Sequence, residues 1–491
     1  MVRQKLKVFT GEAFLYGIGG GIRRLVGLVM LPILTRVFGP ADYGAIDLLN
    51  VGFLFLALSL QVGAPAGFQR FYFSRAEGTE RKKLVSSYLF MSSMVGLCFT
   101  GLVIGFNGPV AGLIPLDEAA VSAPELRHSV FILAWCIPLE LFWNNAVLLL
   151  RMERRPLIFV AANLISVILT PTLTFWFVVH EARGVTGIYE AKLVATLLSC
   201  SATLWVTRSS WKCVPSLHEY LRQVRFGIPG HPGILMRSAL NFLPHAILSY
   251  FAPLSAVGLF GIAARFCSPI RMFVQSFRLA WSPFAYANER TPEEARLYTV
   301  VFKSYLAILL LGSYTISLFA PELLRILAPE EFAGAAPLIP GVALFLGADG
   351  VTAIFGTAMY TRGRVAWDSY MSALRLVLFV VLALVLVPRW HAAGLVASLV
   401  ASTILYLIPY SIRVNQIVPF HQSWRRLLTL VGLLFVGLQL AEGVRELDTA
   451  WRPVLLAATF VSTVGVAPLV ILTRSEVRTV GKEWSRIRER S

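Results

Sequence analysis

Fourteen runs of mainly apolar residues, most of them about twenty long, follow one another along this chain, and that succession limits its folding more than any short motif does. A helix of that length crosses the hydrocarbon core of a bilayer with its backbone polar groups satisfied internally. The runs are 11–36, 43–65, 84–107, 128–150, 157–179, 185–207, 227–251, 256–279, 300–320, 336–360, 366–388, 392–412, 427–441 and 453–473, the thirteenth being the shortest. Hydrophobic residues make up 56% of the 491 and charged residues only 14%, against about 25% in a soluble domain. Mean hydropathy is +0.69. Intrinsic disorder, a coiled coil and a disulfide scaffold are thereby excluded, and an all-α polytopic membrane protein is expected. The basic stretch Met1–Lys7 precedes a run too long for a signal peptide, so that run is expected to remain as the first membrane helix.

The net charge of +17 raises the question of nucleic acid, and its placement answers it. The cations fall in short tracts between apolar runs. With the N-terminus inside, the cytoplasmic segments hold 29 Lys and Arg and the outer loops seven, while acidic residues divide eleven to eleven. By the positive-inside rule both termini are cytoplasmic, and no nucleic-acid partner is expected.

Eight cations lie within the apolar runs: Arg23, Arg24, Lys192, Arg237, Arg265, Arg271, Arg278 and Arg375. Five acids join them: Glu12, Asp47, Glu140, Glu190 and Asp349. A centrally placed arginine costs about 2.5–3.5 kcal/mol on insertion scales, so those far from helix ends must face water or an acid. Glu12, Glu190, Lys192 and Arg278 lie near predicted helix ends, where snorkelling suffices. Arg23, Arg237, Arg265, Arg271 and Arg375 lie deeper. A low-dielectric cavity with more cations than anions attracts an anion, and the planar fork of arginine suits phosphate. The other reading is that these arginines only pair with the acids and hold helices together.

Sliding the second half over the first by roughly 207–214 residues aligns Arg23 with Arg237, Gly44 with Gly258, Glu140 with Asp349, and the loop Arg151–Pro156 with Arg362–Arg364. The common order predicts two pseudo-symmetric six-helix lobes, 1–210 and 211–415, followed by an added helix pair and basic tail at 416–491. Helices one and seven are the richest in Gly and Pro, and interrupted helices at matching places mark a transport site or gate, or merely close packing. No Walker A loop or H-E-x-x-H occurs, the seven histidines do not cluster, and the five cysteines have no C-x-x-C spacing. The longest outer connection, about 108–127, is too small for a catalytic domain. An enzyme is not expected.

The stretch FLYGIGGGIRRLVGLVMLPILTRVFGPADYGAIDLL at 14–49 resembles the opening of the oligosaccharide (Wzx-type) flippases, in the superfamily that holds the multidrug (MATE-like) extruders and lipid II flippases. GAPAGFQRFYFS (63–74), RFGIPGHPG (225–233), LAWSPFAYANE (279–289), PELLRILAPEEFAGAAPLIP (321–340) and VPRWHAAGLVASLVAS (387–402) resemble its later junctions, in order, over roughly 10–420. The resemblance implies a bacterial inner-membrane transporter that moves a polyprenyl-pyrophosphate-linked oligosaccharide outward by alternating access. It implies a cationic cavity lined by helices one, two, seven and eight. Arg23 or Arg24 and Arg265 match that motif, and Arg70 lies where an entering headgroup would pass. Arg237 and Arg271 complete the candidate set. One departure stands out: where many members carry an acidic-basic pair after the helix-seven asparagine, this chain reads Asn241-Phe-Leu-Pro-His245.

Glu140, Asp349 and Asp47 are candidates for proton or sodium coupling or for counter-ions to arginine, the latter favoured; no cofactor or metal is expected. Membrane lipid, a polysaccharide polymerase or glycosyltransferases are the expected neighbours. Two rival readings are a multidrug or metabolite antiporter, whose cationic substrates need an anionic cavity, and a non-transporting scaffold for polysaccharide assembly.

Overall fold

The computed structural model describes residues 27, 29–75, 78–112, 114, 121–420, 424–446 and 451–471. Predicted helix one, with Glu12, Arg23 and Arg24, falls almost wholly outside them. The described residues contain helices and no strands. In chain order the α-helices are α1 (Leu31–Val37), α2 (Pro40–Ser59), α3 (Ala64–Tyr72), α4 (Thr79–Gly105), α5 (Asn107–Ala111), α6 (Ala123–Met152), α7 (Pro156–Phe175), α8 (Gly184–Thr207), α9 (Leu217–Gly227), α10 (His231–Phe251), α11 (Leu254–Phe266), α12 (Ser268–Ala287), α13 (Glu294–Leu327), α14 (Ile339–Thr361), α15 (Val365–Asn415), α16 (Trp424–Glu446) and α17 (Arg452–Ile471). The described parts of the apolar runs from the second onward fall mainly on these helices, the run 256–279 being divided between α11 and α12. Among the described residues, seven helices are long and apolar enough alone to cross a membrane, and α11 with α12, bent by 50° at their junction, pass the same test only when taken together. The remaining long helices, α8, α10, α16 and α17, have 24, 21, 23 and 20 residues, enough to span by length.

Contacts divide the chain into two units. The first holds Met1–Ile262 with Leu384–Leu395, the second Ala263–Ala383 with Val396–Ser491. In the first unit, α6 packs between α4 and α8, α10 packs on α2, and α9 on α3. A core of Phe68, Tyr88, Trp143, Leu149 and Tyr220 joins α3, α4, α6 and α9, with the Phe68 and Tyr88 rings stacked at 4.2 Å. Two close approaches depend on glycine. A Cβ on Gly44 would strike the Leu254 carbonyl and the Gly258 amide, and one on Gly258 would strike the Pro40 carbonyl and the Gly44 amide. Gly63, in the left-handed region at φ +75°, is likewise seated against Gly227.

In the second unit, α14 packs on α12 and α13, and the α16–α17 hairpin packs on α13 through Tyr314, Leu318, Leu430 and Leu434. Arg445 ties α16 to α13 by donating to Glu322 at 2.9 and 3.1 Å and to the Leu318 carbonyl. Arg362, after α14, clamps Glu289 at 3.0 Å and Glu294 at 2.6 Å. The two runs expected at 366–388 and 392–412 are the arms of α15, broken where His391 takes φ 46°, ψ −123°.

Candidate functional site

The site builds from the break before α12. Cys267 leaves helical geometry at φ −81°, ψ 7°, and Pro269 starts a new helix whose first-turn N–H it does not need. On this helix Ser268, Arg271, Gln275, Arg278 and Ser282 recur at spacings of three, four, three and four residues. At 100° per residue they fall within a sector of about 80°. None of the five is buried, whereas Ile270, Val274, Trp281 and Ala285 on another face are. A cationic stripe on a membrane helix is stable only against water or polar partners.

The partners come from α14 and α15. Arg278 Nη2 donates to Asp349 Oδ2 at 3.3 Å and to Thr352 Oγ1 at 3.0 Å. Arg375 donates from Nη1 to Asp349 Oδ1 and from Nη2 to Thr403 Oγ1 at 3.2 Å. The Phe345 and Tyr406 rings lie under its guanidinium at 5.3 and 5.1 Å. Arg271 lies on the same stripe of α12, two turns before Arg278. Two guanidinium groups thus share one carboxylate, leaving a net positive charge. They are not equivalent. The Arg375 side chain is 7% exposed, while those of Arg278 and Asp349 are 32% and 30% exposed. The Nε atoms of both Arg278 and Arg375 are buried without a hydrogen-bond acceptor among the described residues. Arg375 is a buried anchor; Arg278 is held by the Asp349–Thr352 platform with about a third of its side chain exposed.

Of the expected residues, Asp349 lies in this cluster, and Arg271 shares the stripe of α12 that carries Arg278. Arg278 and Arg375 are the residues sequence reasoning left out of the candidate set. The apolar run puts Arg278 near the end of a helix at 256–279, but the break at Cys267 starts a new helix, and Arg278 lies mid-way along α12. The signal that finds it is the three-four spacing of polar residues.

Asp47 and His245 form a second polar pair, in the first unit. His245 Nε2 lies 3.0 Å from Asp47 Oδ2, and its Nδ1 lies 3.1 Å from the Asn241 carbonyl. Both side chains are nearly buried, and Gly261 approaches the carboxylate so closely that a Cβ would collide with it. The chain's departure after Asn241 thus still yields an acid-base pair, with the acid on α2. Glu140 accepts from Asn144 at 3.2 Å one turn along α6. Arg237 is exposed on α10, Arg265 half-buried near the end of α11, and Arg70 exposed at the end of α3. Glu190 binds Arg183 at 2.8 Å, and Lys192 Nζ lies 3.7 Å from the Phe53 ring centre. No group of three or more His, Cys, Asp or Glu suited to a metal occurs among the described residues.

This architecture is similar to that of solved structures. The structure titled "Lipid II flippase MurJ, inward closed conformation" aligns with a TM-score of 0.76 and 12% identity over 93% of this chain and 99% of that one. A multidrug resistance MATE family transporter of the MOP superfamily, in its inward-facing conformation, aligns with a TM-score of 0.66 and 18% identity over 82% and 95%. In sequence, the succinoglycan biosynthesis transport protein ExoT of Rhizobium meliloti (strain 1021) is 24% identical over 335 residues, 65% of this chain. The alignment spans 62% of that relative, less than two thirds of its length. The family described as "Polysaccharide biosynthesis protein" matches residues 10–286, more than half of the chain, and this multi-pass α-helical membrane protein belongs to it.

Proposed function

We propose that the protein is a flippase that carries a polyprenyl-pyrophosphate-linked oligosaccharide from the cytoplasmic to the outer leaflet of a bacterial inner membrane, for polysaccharide assembly. The observation that supports it most is the α12 stripe, where Arg278 shares the carboxylate of Asp349 with Arg375 of α15 and Arg271 adds a further charge on the same face. A diphosphate suits such a place, because charge-assisted N–H···O bonds replace the hydration it loses. A cationic drug does not, since it would meet surplus positive charge.

In this reading both termini are cytoplasmic, and the lobes 1–210 and 211–415 alternate between inward-open and outward-open states, with 416–491 appended. Arg271 and Arg278 hold the phosphates, Arg23, Arg24, Arg237 and Arg265 are the further candidate phosphate ligands, and Arg70 meets the headgroup on entry. The polyprenyl tail stays in lipid, which avoids desolvating charge and sugar hydroxyls in hydrocarbon. Asp349 serves as counter-ion, while Asp47 and Glu140 are the acids left for proton or sodium coupling. The polymerase and glycosyltransferases of the same assembly line are the natural partners.

The test is transfer of a fluorescent polyprenyl-diphosphate saccharide across proteoliposomes holding the full chain. The native protein should speed transfer over empty vesicles. Arg271→Gln/Arg278→Gln should slow it about tenfold or more, given about 1.5–3 kcal/mol for each hydrogen bond to a charged group. A folded double variant working at the native rate would refute the assignment.

A further inference from the structure

A basic cavity, far along the sequence from the α12 stripe, lies in the first unit. It occupies about 480 Å³ and is bounded by the turn before α4, the turn between α6 and α7, and the end of α8. Arg81, Lys82, Arg154 and Arg155 line it against one acid, Glu153. Glu153 is already engaged, by Arg155 at 3.3 Å and by the Ser210 hydroxyl. The Arg81 guanidinium lies 5.1 Å from the Tyr72 ring centre and donates to the Arg75 carbonyl at 3.1 Å, so it is pre-positioned. Phe73, 63% exposed, forms part of the same wall, and Leu157, 73% exposed, follows the second turn. Cations beside exposed apolar side chains match the boundary between headgroups and acyl chains.

The backbone adds an independent argument. Helix α6 ends in a six-to-one turn in which the Arg155 N–H donates to the Leu150 carbonyl at 3.0 Å. Helix α14 ends in the same turn, the Arg364 N–H donating to the Met359 carbonyl at 2.9 Å. These loops answer each other in the internal repeat. In the second, the left-handed position is Gly363 at φ +68°, as sterics favour. In the first it is Arg154 at φ +54°, which a side chain adopts only at a cost. The strained position carries a cation on the cavity wall.

We infer that this cavity binds the phosphate of an anionic glycerophospholipid headgroup, such as phosphatidylglycerol, on the side assigned above to the cytoplasm. The phosphate lies among Arg81, Lys82, Arg154 and Arg155, and the acyl chains leave past Phe73. Occupancy pins the ends of α3, α6 and α8 to the leaflet independently of cargo.

The experiment uses the full chain in phosphatidylcholine nanodiscs doped with a photoactivatable phosphatidylglycerol, the crosslinked peptides being mapped by mass spectrometry. Crosslinks should concentrate in 72–85, 152–157 and 209–210. Arg154→Gly/Arg155→Gln should reduce them about tenfold or more. Arg154→Gly alone should reduce them while raising the thermal midpoint, because glycine relieves the left-handed strain. That opposite movement separates lost binding from lost folding. Lys83→Gln/Arg225→Gln, on exposed cations outside the cavity, should leave the crosslinks unchanged. Even crosslinking around the protein, or native yields in the double variant, would overturn the inference. Displacement of the probe by millimolar glycerol phosphate would reassign the cavity to a free phosphate ligand, and displacement by polyprenyl diphosphate at lower concentration than phosphatidylglycerol would make it a loading point for cargo. Either result overturns the assignment to a leaflet lipid.

Discussion

Arg278 and Arg375 bind one carboxylate from opposite environments, and burial decides what each does. Arg375 is enclosed by Asp349, Thr403 and two rings, so its charge is structural. Removing the acid leaves two guanidiniums facing each other with nothing between them, a loss of about 3–5 kcal/mol for a buried pair. Asp349→Asn should therefore lower the melting temperature in detergent by several degrees. Asp349→Asn/Arg375→Met should recover much of that loss, because the buried charge leaves with its partner. Thermal unfolding of the three proteins checks this, and a double variant no more stable than Asp349→Asn would contradict it. The acid was legible as an intramembrane charge, and its alignment with Glu140 was legible from the repeat. That it would bridge two arginines was not, because one lies 71 residues upstream and the other 26 downstream, and only helix packing brings them together.

At the scale of elements, most helices were readable because an apolar run of bilayer length has few other stable forms. The short helices α3 and α9 were not, since 9 and 11 residues fall below any spanning criterion. Their helicity rests on packing against each other, Gly67 resting on the Gln223 backbone. Internal alignment of Gly44 with Gly258 carried more than the sequence disclosed, for these two glycines touch. A side chain on either would force α2 and α11 apart. Gly44→Val is expected to lose the monodisperse folded peak in size-exclusion chromatography or to drop its melting temperature by about 5 °C or more. Gly52→Ala is the control: its Cβ would lie 3.5 Å from the Phe242 ring, an ordinary contact. Equal behaviour of the two variants would show that the approach of α2 and α11 does not depend on glycine.

For the whole molecule, composition and the succession of apolar runs were enough to exclude a soluble protein, and the ordered resemblance along the chain anticipated the family that matches 10–286. Charge at depth was harder to read. Eight cations against five acids within the runs implied an anion-attracting interior, yet which of them share a site depends on a helix break at Cys267 that no composition window reveals. The two units also follow spatial contact, with α9, α10 and most of α11 grouped in the first. In the proposed function the α12 stripe, where Arg278 and Arg375 outnumber Asp349, holds a diphosphate. The most direct test of that role is the affinity of the purified chain for a short polyprenyl diphosphate, measured by isothermal titration calorimetry against Arg278→Gln. Binding should weaken about tenfold or more in the variant and weaken with added salt in the native protein. An affinity unchanged by the substitution, or a preference for an organic cation over the diphosphate, would contradict it.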